Sequence, residues 1–436
     1  MDLSRYRKKL EAHEGLHVQG RIQSTAGPAL CATIPGVRLG DSVEVLREDD
    51  QPLLCEVVAF TEERATLMPL GSTLGVGPGD IVRSTGQPLR ITCGPRLLGR
   101  VLDGLGQPID DKRPIQGESW DVMRSPPNAL RRKRIDTMLS VGIRCIDTLL
   151  SIGHGQRIGV FAGSGAGKSS LLGQIARQAE TDISVVCLVG ERGREIREFI
   201  EDTLGTQGQQ RSVVVCASSD APALTRLKSA YVATSIAEWF REQGNRVTLL
   251  MDSVTRFARA AREVGLAAGE PPTRRGYPPS VFAALPALLE RTGNAEHGSI
   301  TAFYTVLVEG GDMDEPIADE VRAILDGHIV LDRQLGMRGR YPAIDVLHSL
   351  SRVMDRLVTV EHRNAAQQLR EIIATYETHR DMVVLGAYKP GHNLMLDDAI
   401  HRMEAIEVFL RQDSHEQSDV TQTIAALMKL VHSGKH

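Results

Sequence analysis

The run Ala162-Gly-Ser-Gly-Ala-Gly-Lys-Ser169 constrains this chain more than any other stretch. It follows an apolar, strand-like segment, Arg157-Ile-Gly-Val-Phe161, and precedes a segment that sets Leu171, Leu172, Ile175, Ala176 and Ala179 on one helical face. A strand, a glycine-rich loop and a helix in that order make a phosphate-binding loop, with Ala162 where the motif G-x-x-x-x-G-K-[ST] has its first glycine. Gly163, Gly165 and Gly167 let the backbone curl so that successive N–H groups, including those of Ser164, Ala166 and Ser170, face a polyphosphate at the positive end of a helix. Lys168 is then placed for the β- and γ-phosphates and Ser169 for Mg²⁺. ATP with Mg²⁺ is the expected cofactor pair.

A phosphate loop requires a parallel sheet behind it. Four further apolar runs meet that need: Ser184–Val189, Ser212–Val215, Val247–Met251 and Ile300–Val308, separated by helical patterns. Near-continuous apolar strands alternating with amphipathic helices predict an α/β core of the P-loop NTPase, RecA-like kind, covered on both faces. The strand Val247–Met251 ends in Asp252, at the sheet edge where α/β folds bind ligands, and Asp252 is the candidate for the magnesium shell. The neighbouring strand runs into Gly190-Glu191-Arg192-Gly193-Arg194-Glu195. Glu191 leaves the strand end opposite the γ-phosphate position and is the preferred catalytic carboxylate. Glu195 is expected one turn into the next helix and more exposed, and Arg192 and Arg194 are expected in ordinary ion pairs.

The sequence divides into four segments. Residues 1–18 are polar and basic, with Leu3, Tyr6 and Leu10 at helical spacing; they read as a terminal helix or as a docking segment for a partner protein or membrane surface. Residues 19–92 show short β-prone runs cut by glycines, the texture of a small β-barrel. Residues 93–360 hold the ATPase domain, introduced by a Gly- and Pro-rich connector between Leu97 and about Leu139. The basic run Arg131-Arg-Lys-Arg134 in that connector is expected to be a solvated linker. Residues 361–436 lose the strand signals and read as a helical C-terminal domain.

Composition narrows the function. Fifty-one Lys and Arg against 55 Asp and Glu give a net charge of −4, and aromatics are 4% of the residues. A bulk positive field and stacking platforms are therefore missing, so nucleic acid is not the expected partner. The six cysteines show no C-x-x-C spacing and are expected as buried thiols in a reducing compartment. The thirteen histidines form no metal-ligand spacing. The amino-terminal residues lack a signal-peptide core, and no apolar run reaches the ~18 residues of a membrane span, so a cytoplasmic location is expected.

The phosphate loop and Val189-Gly-Glu-Arg-Gly-Arg-Glu195 together resemble the export ATPases of bacterial flagella and type III secretion systems. These are similar in turn to the catalytic subunits of rotary F-type ATPases. Further stretches carry the resemblance: Arg275-Gly-Tyr-Pro-Pro-Ser-Val-Phe282, Leu285-Pro-Ala-Leu-Leu-Glu-Arg291, Gly298-Ser-Ile-Thr-Ala-Phe-Tyr-Thr305, Ala323-Ile-Leu-Asp-Gly-His-Ile-Val330 and Tyr341-Pro-Ala-Ile-Asp-Val346. The resemblance implies Mg²⁺-dependent ATP hydrolysis by a homo-hexameric ring with nucleotide sites shared between neighbours, energising protein export at the cytoplasmic face of the inner membrane. It implies Lys168, Glu191, Arg256 and Arg352 as catalytic residues, Arg352 reaching into the neighbour's site, and Tyr341 as the aromatic that packs on adenine. Its implied partners are a stator-like protein at the N-terminus, a central stalk, and the export apparatus with its exported proteins or their chaperones. The proline-rich loop Gly269–Pro279, with Arg274 and Arg275, reads either as a central-channel contact or as a plain surface loop. Two other functions stay in view: a rotary F/V-type ATPase subunit, and a ring subunit that binds nucleotide without hydrolysis. Glu191 argues against the second.

Overall fold

The structure is a computed structural model and describes residues 18–47, 51–62 and 64–432. The amphipathic segment read at the N-terminus therefore lies outside the described residues but for Val18.

Six antiparallel strands, Gln19–Ala26, Ala29–Thr33, Asp41–Leu46, Leu53–Thr61, Arg64–Pro69 and Ile81–Pro88, close into a barrel in the order first, second, fifth, fourth, third, sixth. Alternation along them turns Ile22, Leu30, Val43, Val45, Val57, Leu67 and Val82 into a common interior. The barrel seats on the central domain through a second apolar cluster in which Ala29, Met68 and Leu70 meet Ala223 and Leu224. Polar ties flank that seat: Thr225 Oγ1 donates to the Leu70 carbonyl at 2.7 Å, and Lys228 Nζ lies 2.5 Å from Glu56 Oε2.

The central sheet runs in the order Ile344–Ser351, Gly327–Leu331, Arg157–Ala162, Ser299–Leu307, Arg246–Asp252, Ile183–Glu191, Ser212–Ser218, Val101–Asp103, with the short strand Gly293–Asn294 paired alongside Ser299–Leu307. From Gly327–Leu331 to Val101–Asp103 the main path is parallel, and Ile344–Ser351 is antiparallel at one edge. The five apolar runs read from the sequence form five consecutive central strands. They place the phosphate loop, Asp252 and Glu191 at one carboxyl edge.

The connector is more structured than its composition suggests. Val101–Asp103 pairs with Val214, Val215 and Cys216 as an edge strand, and Arg90–Cys93 pairs with Glu118–Asp121. Arg132, expected in a solvated run, is partly buried. Its guanidinium donates to the carbonyls of Thr292 at 2.8 Å and of Glu290, because the carbonyls just past the end of the helix Pro279–Leu289 offer the fork two acceptors. Arg131, Lys133 and Arg134 are exposed as expected.

Three helices, Val360–Val384, Leu394–Leu410 and Val420–His432, finish the chain. Leu369, Ile373, Ile406, Leu410 and Leu427 join the same apolar cluster as Ile146, Leu149, Leu171 and Ile175. Gln412 stitches the join twice, donating to Gly142 O and accepting from the Arg144 amide, each at 2.8 Å. All six cysteines are unpaired; five are buried and Cys31 is partly so. Among the described residues no helix is long and apolar enough to cross a membrane.

Candidate active site

The strand Arg157–Ala162 delivers the loop. Ala162 is still extended and buried, so its β-carbon fits where the motif usually has glycine. Gly165 and Gly167 take left-handed φ values of 77° and 85°, which side-chain-bearing residues resist. The helix Lys168–Gln178 then starts with free N–H groups aimed at the cleft. Ser164, Ser169 and Ser170 are exposed on the loop and first turn, while Ala166 packs into the apolar core and can offer only its backbone.

Three strand ends converge on Lys168. Its Nζ lies 2.6 Å from Asp252 Oδ1 and 3.8 Å from Glu191 Oε1. Asp252 is buried and also accepts from Thr305 Oγ1 at 2.9 Å. Arg256, on the helix Val254–Ala267, places its guanidinium 3.0 Å from Glu191 Oε2 and donates to the Gly190 carbonyl. Glu191 is 7% exposed, and its Oε1 has no hydrogen-bond partner among the described residues. Burial pushes its carboxyl up to about 7, with Asp252 and Glu195 adding to the rise and Lys168 and Arg256 opposing it. A carboxylate poised near neutrality beside a phosphate loop suits a general base. Glu195 sits in the helix Gly193–Glu198, less buried, paired with Arg192 at 3.1 Å; Arg194 pairs with Glu198 at 3.4 Å.

Lys168, Glu191, Arg192, Glu195 and Arg256 line a cleft of about 1330 Å³, with Asp252 behind Lys168; its other wall is Val308–Gly311, Arg322, His328 and the stretch around Asp332. Tyr341 stands at its rim, 45% exposed, its ring 3.4 Å from where a β-carbon on Gly167 would lie. Arg352 follows the antiparallel edge strand and is exposed. It lies outside the lining of this cleft and donates to the Arg322 carbonyl at 3.2 Å. Arg274 and Arg275 are also exposed, paired with Asp319 at 3.5 Å and Asp312 at 3.3 Å.

Residues 142–351 match the ATP synthase alpha/beta family, nucleotide-binding domain; residues 22–86 match its beta-barrel domain. Residues 358–429 match the T3SS EscN ATPase C-terminal domain. A flagellum-specific ATP synthase of Bacillus subtilis is 51% identical over 414 residues, 94% of either chain. A type 3 secretion system ATPase of Xanthomonas euvesicatoria is 49% identical over 411 residues, 94% of this chain and 93% of that one. The chain belongs to the flagellar and type III secretion ATPases. The assembled ATPase EscN of enteropathogenic E. coli superposes with a TM-score of 0.90 at 45% identity, over 94% of this chain and all of that one. EscN in complex with its central stalk EscO gives 0.88 at the same identity and coverage.

In this export ATPase several residues at or behind the cleft were given no role from the sequence. Thr305 holds Asp252 from the adjacent strand; a lone threonine late in an apolar run was its trace. Arg322, His328, Asp345 and His348 line the nucleotide cleft from the sheet's far edge. The donor set fits a magnesium nucleotide: a hydroxyl on Ser169, a buried carboxylate on Asp252, and nearby the Glu191 Oε1, which accepts no hydrogen bond among the described residues.

Proposed function

We propose that the chain hydrolyses Mg-ATP at sites shared between neighbours in a hexameric ring, and that this turnover powers protein export from the cytoplasmic face of the inner membrane. The observation that carries the reading is the division of the site. Lys168, Asp252, Arg256 and a half-satisfied Glu191 converge in one cleft, while Arg352 is exposed outside it.

The loop amides and Lys168 bind the phosphates, and the Tyr341 ring receives the base. Ser169 and Asp252 would hold the Mg²⁺ that accompanies ATP, which neutralises charge on the phosphates. Glu191 aligns water through its free Oε1 and takes its proton, while Arg256 fixes the other oxygen. Arg352 from the next copy stabilises charge on the transferring group, a contribution of ~10³–10⁵ in rate where such arginines have been measured. The relative assembled with its central stalk supports a stalk partner here, with the loop Gly269–Pro279 as the channel contact. The N-terminal segment is the proposed attachment for a stator-like protein, and exported proteins or their chaperones are the proposed cargo.

Mixing two inactive variants tests the shared site. Lys168→Ala and Arg352→Ala chains each lose turnover, and their mixture should regain part of it, because a Lys168→Ala chain lends its Arg352 to an intact cleft. Phosphate release that stays at baseline in mixtures that assemble normally by sedimentation would refute the shared site.

A further inference from the structure

A second cavity of about 330 Å³ adjoins the nucleotide cleft and shares Arg192 and Arg256 as a common wall. Gly190, Ser219, Arg226, Arg259, Arg262 and Glu263 complete its lining. Five arginines thus line it beside one glutamate. Glu263 answers Arg226 at 2.7 Å, and the acids that answer Arg192, Arg256 and Arg259 (Glu195, Glu191 and Glu309) lie outside the cavity. Arg262 has no acidic partner among the described residues; its guanidinium lies over the Tyr277 ring at 5.1 Å from the centroid.

Arg256, Arg259 and Arg262 recur every third residue along the helix Val254–Ala267, so they share a face and repel one another. An anion in the cavity would relieve that repulsion. The lining holds no aromatic ring to receive a nucleobase, and the space suits a compact oxyanion with its water. Gly190 separates the two chambers. A β-carbon there would stand 3.3 Å from Arg256 Cδ and 3.6 Å from Arg226 Cδ, and its φ of 67° disfavours any side chain. Arg256 already spans both chambers, holding Glu191 on one side and lining the cavity on the other.

We propose that this arginine-lined cavity is a binding site for inorganic phosphate, which leaves the nucleotide cleft past Arg256 after hydrolysis. The proposal rests on the ATPase reading for the origin of its ligand, but not for the site itself. Arg256 is the hand-over group, exchanging its Glu191 partner for the departing anion. Arg226 and Arg262 receive that anion.

Equilibrium dialysis of radiolabelled inorganic phosphate against the full chain, with ADP saturating the nucleotide cleft, tests the site without turnover. Arg262→Gln should weaken phosphate binding about ten-fold, the scale of one lost charge-assisted hydrogen bond, and leave ADP affinity unchanged. Arg226→Gln should act in the same direction. Lys168→Ala, which disables the nucleotide cleft, should retain the phosphate. Unchanged phosphate affinity in Arg262→Gln would overturn the site. So would loss of binding in Lys168→Ala alone, which would put the phosphate in the nucleotide cleft. A third contrary result is a change in self-association by sedimentation in Arg262→Gln with phosphate binding intact; the cavity would then take an acidic side chain of a second copy. A wild-type chain that binds phosphate here yet never hydrolyses ATP would sink the ATPase reading and leave the dialysis result standing.

Discussion

Two buried clusters of arginine or lysine with carboxylate sit in the same domain, and they are finished differently. Behind the sheet, Arg291 and Glu238 are each 1% exposed, and every side-chain nitrogen of the one and both carboxylate oxygens of the other have a hydrogen-bond partner. Arg291 Nε and Nη2 reach the two Glu238 oxygens at 2.9 and 2.6 Å, Nη2 also reaches Ser235 Oγ at 2.8 Å, and Nη1 reaches the Val122 carbonyl at 2.9 Å. At the phosphate loop, Asp252 and Glu191 are buried and Lys168 and Arg256 partly so, yet Glu191 Oε1 accepts no hydrogen bond among the described residues and its carboxyl is pushed up to about 7. Burial of charge alone therefore does not mark an active site. The Arg291–Glu238 pair is closed by its own chain, whereas Glu191 at the phosphate loop keeps an oxygen that a substrate can complete.

Glu191→Gln separates the two cases most widely. It keeps the shape and removes a costly buried charge, so turnover should fall about 10²–10⁴-fold, the range for a positioned base, while ATP still binds and the melting temperature does not drop. Fluorescent-nucleotide titration beside a phosphate-release assay reads both quantities. Near-normal turnover would move the base elsewhere, with Glu195 the first candidate.

Arg291→Met should do the reverse. Leaving Glu238 charged and unpaired in the core costs about 3–5 kcal/mol, seen as a lower denaturation midpoint, with turnover per folded chain kept. Exchanging both partners for apolar residues should restore much of the loss, since a well-packed apolar pair can equal a buried ion pair. If Arg291→Met left stability unchanged and lowered turnover instead, the distinction between closed and open clusters would collapse.

The open cluster was far easier to see in the sequence than the closed one. Ala162–Ser169, Asp252 and Glu191 are each tied to a strand end, and strands announce themselves locally through apolar runs and glycine spacing. The barrel and the five central strands were legible for the same reason. Val101–Asp103 was not, because three residues carry no period and only the pairing with Val214–Cys216 makes them a strand. Arg132, half-buried against Glu290 and Thr292, looked like part of a solvated basic run because its acceptors lie about 160 residues away. The Arg291–Glu238 pair spans 53 residues and Thr305–Asp252 another 53. Side-chain partnerships at that distance leave no mark on composition or periodicity.

The raised Glu191 carboxyl gives a milder test in pH. Its proton must be off for it to accept one from water, so the active fraction grows as pH rises through about 7 and falls about ten-fold per unit below it. The acid limb of kcat/KM, which reports the free enzyme, should bend near that value. The limb should vanish from the residual activity of Glu191→Gln; its persistence there would assign the titration to another group.

The smallest effect belongs to Thr305, which joins the open cluster from the adjacent strand. Its hydroxyl donates to Asp252 Oδ1, the same oxygen that Lys168 Nζ reaches at 2.6 Å. Thr305→Val keeps the branched shape in a buried strand and removes that one bond to a charged oxygen, worth about 1.5–3 kcal/mol. If the bond serves to aim Asp252, the loss should appear as a higher Mg²⁺ concentration needed for half-maximal turnover at saturating ATP, with the melting temperature nearly preserved. If it serves only the core, the melting temperature falls and the Mg²⁺ titration stays put. The first outcome would extend the open cluster to a fifth residue, and the second would place Thr305 with the closed one.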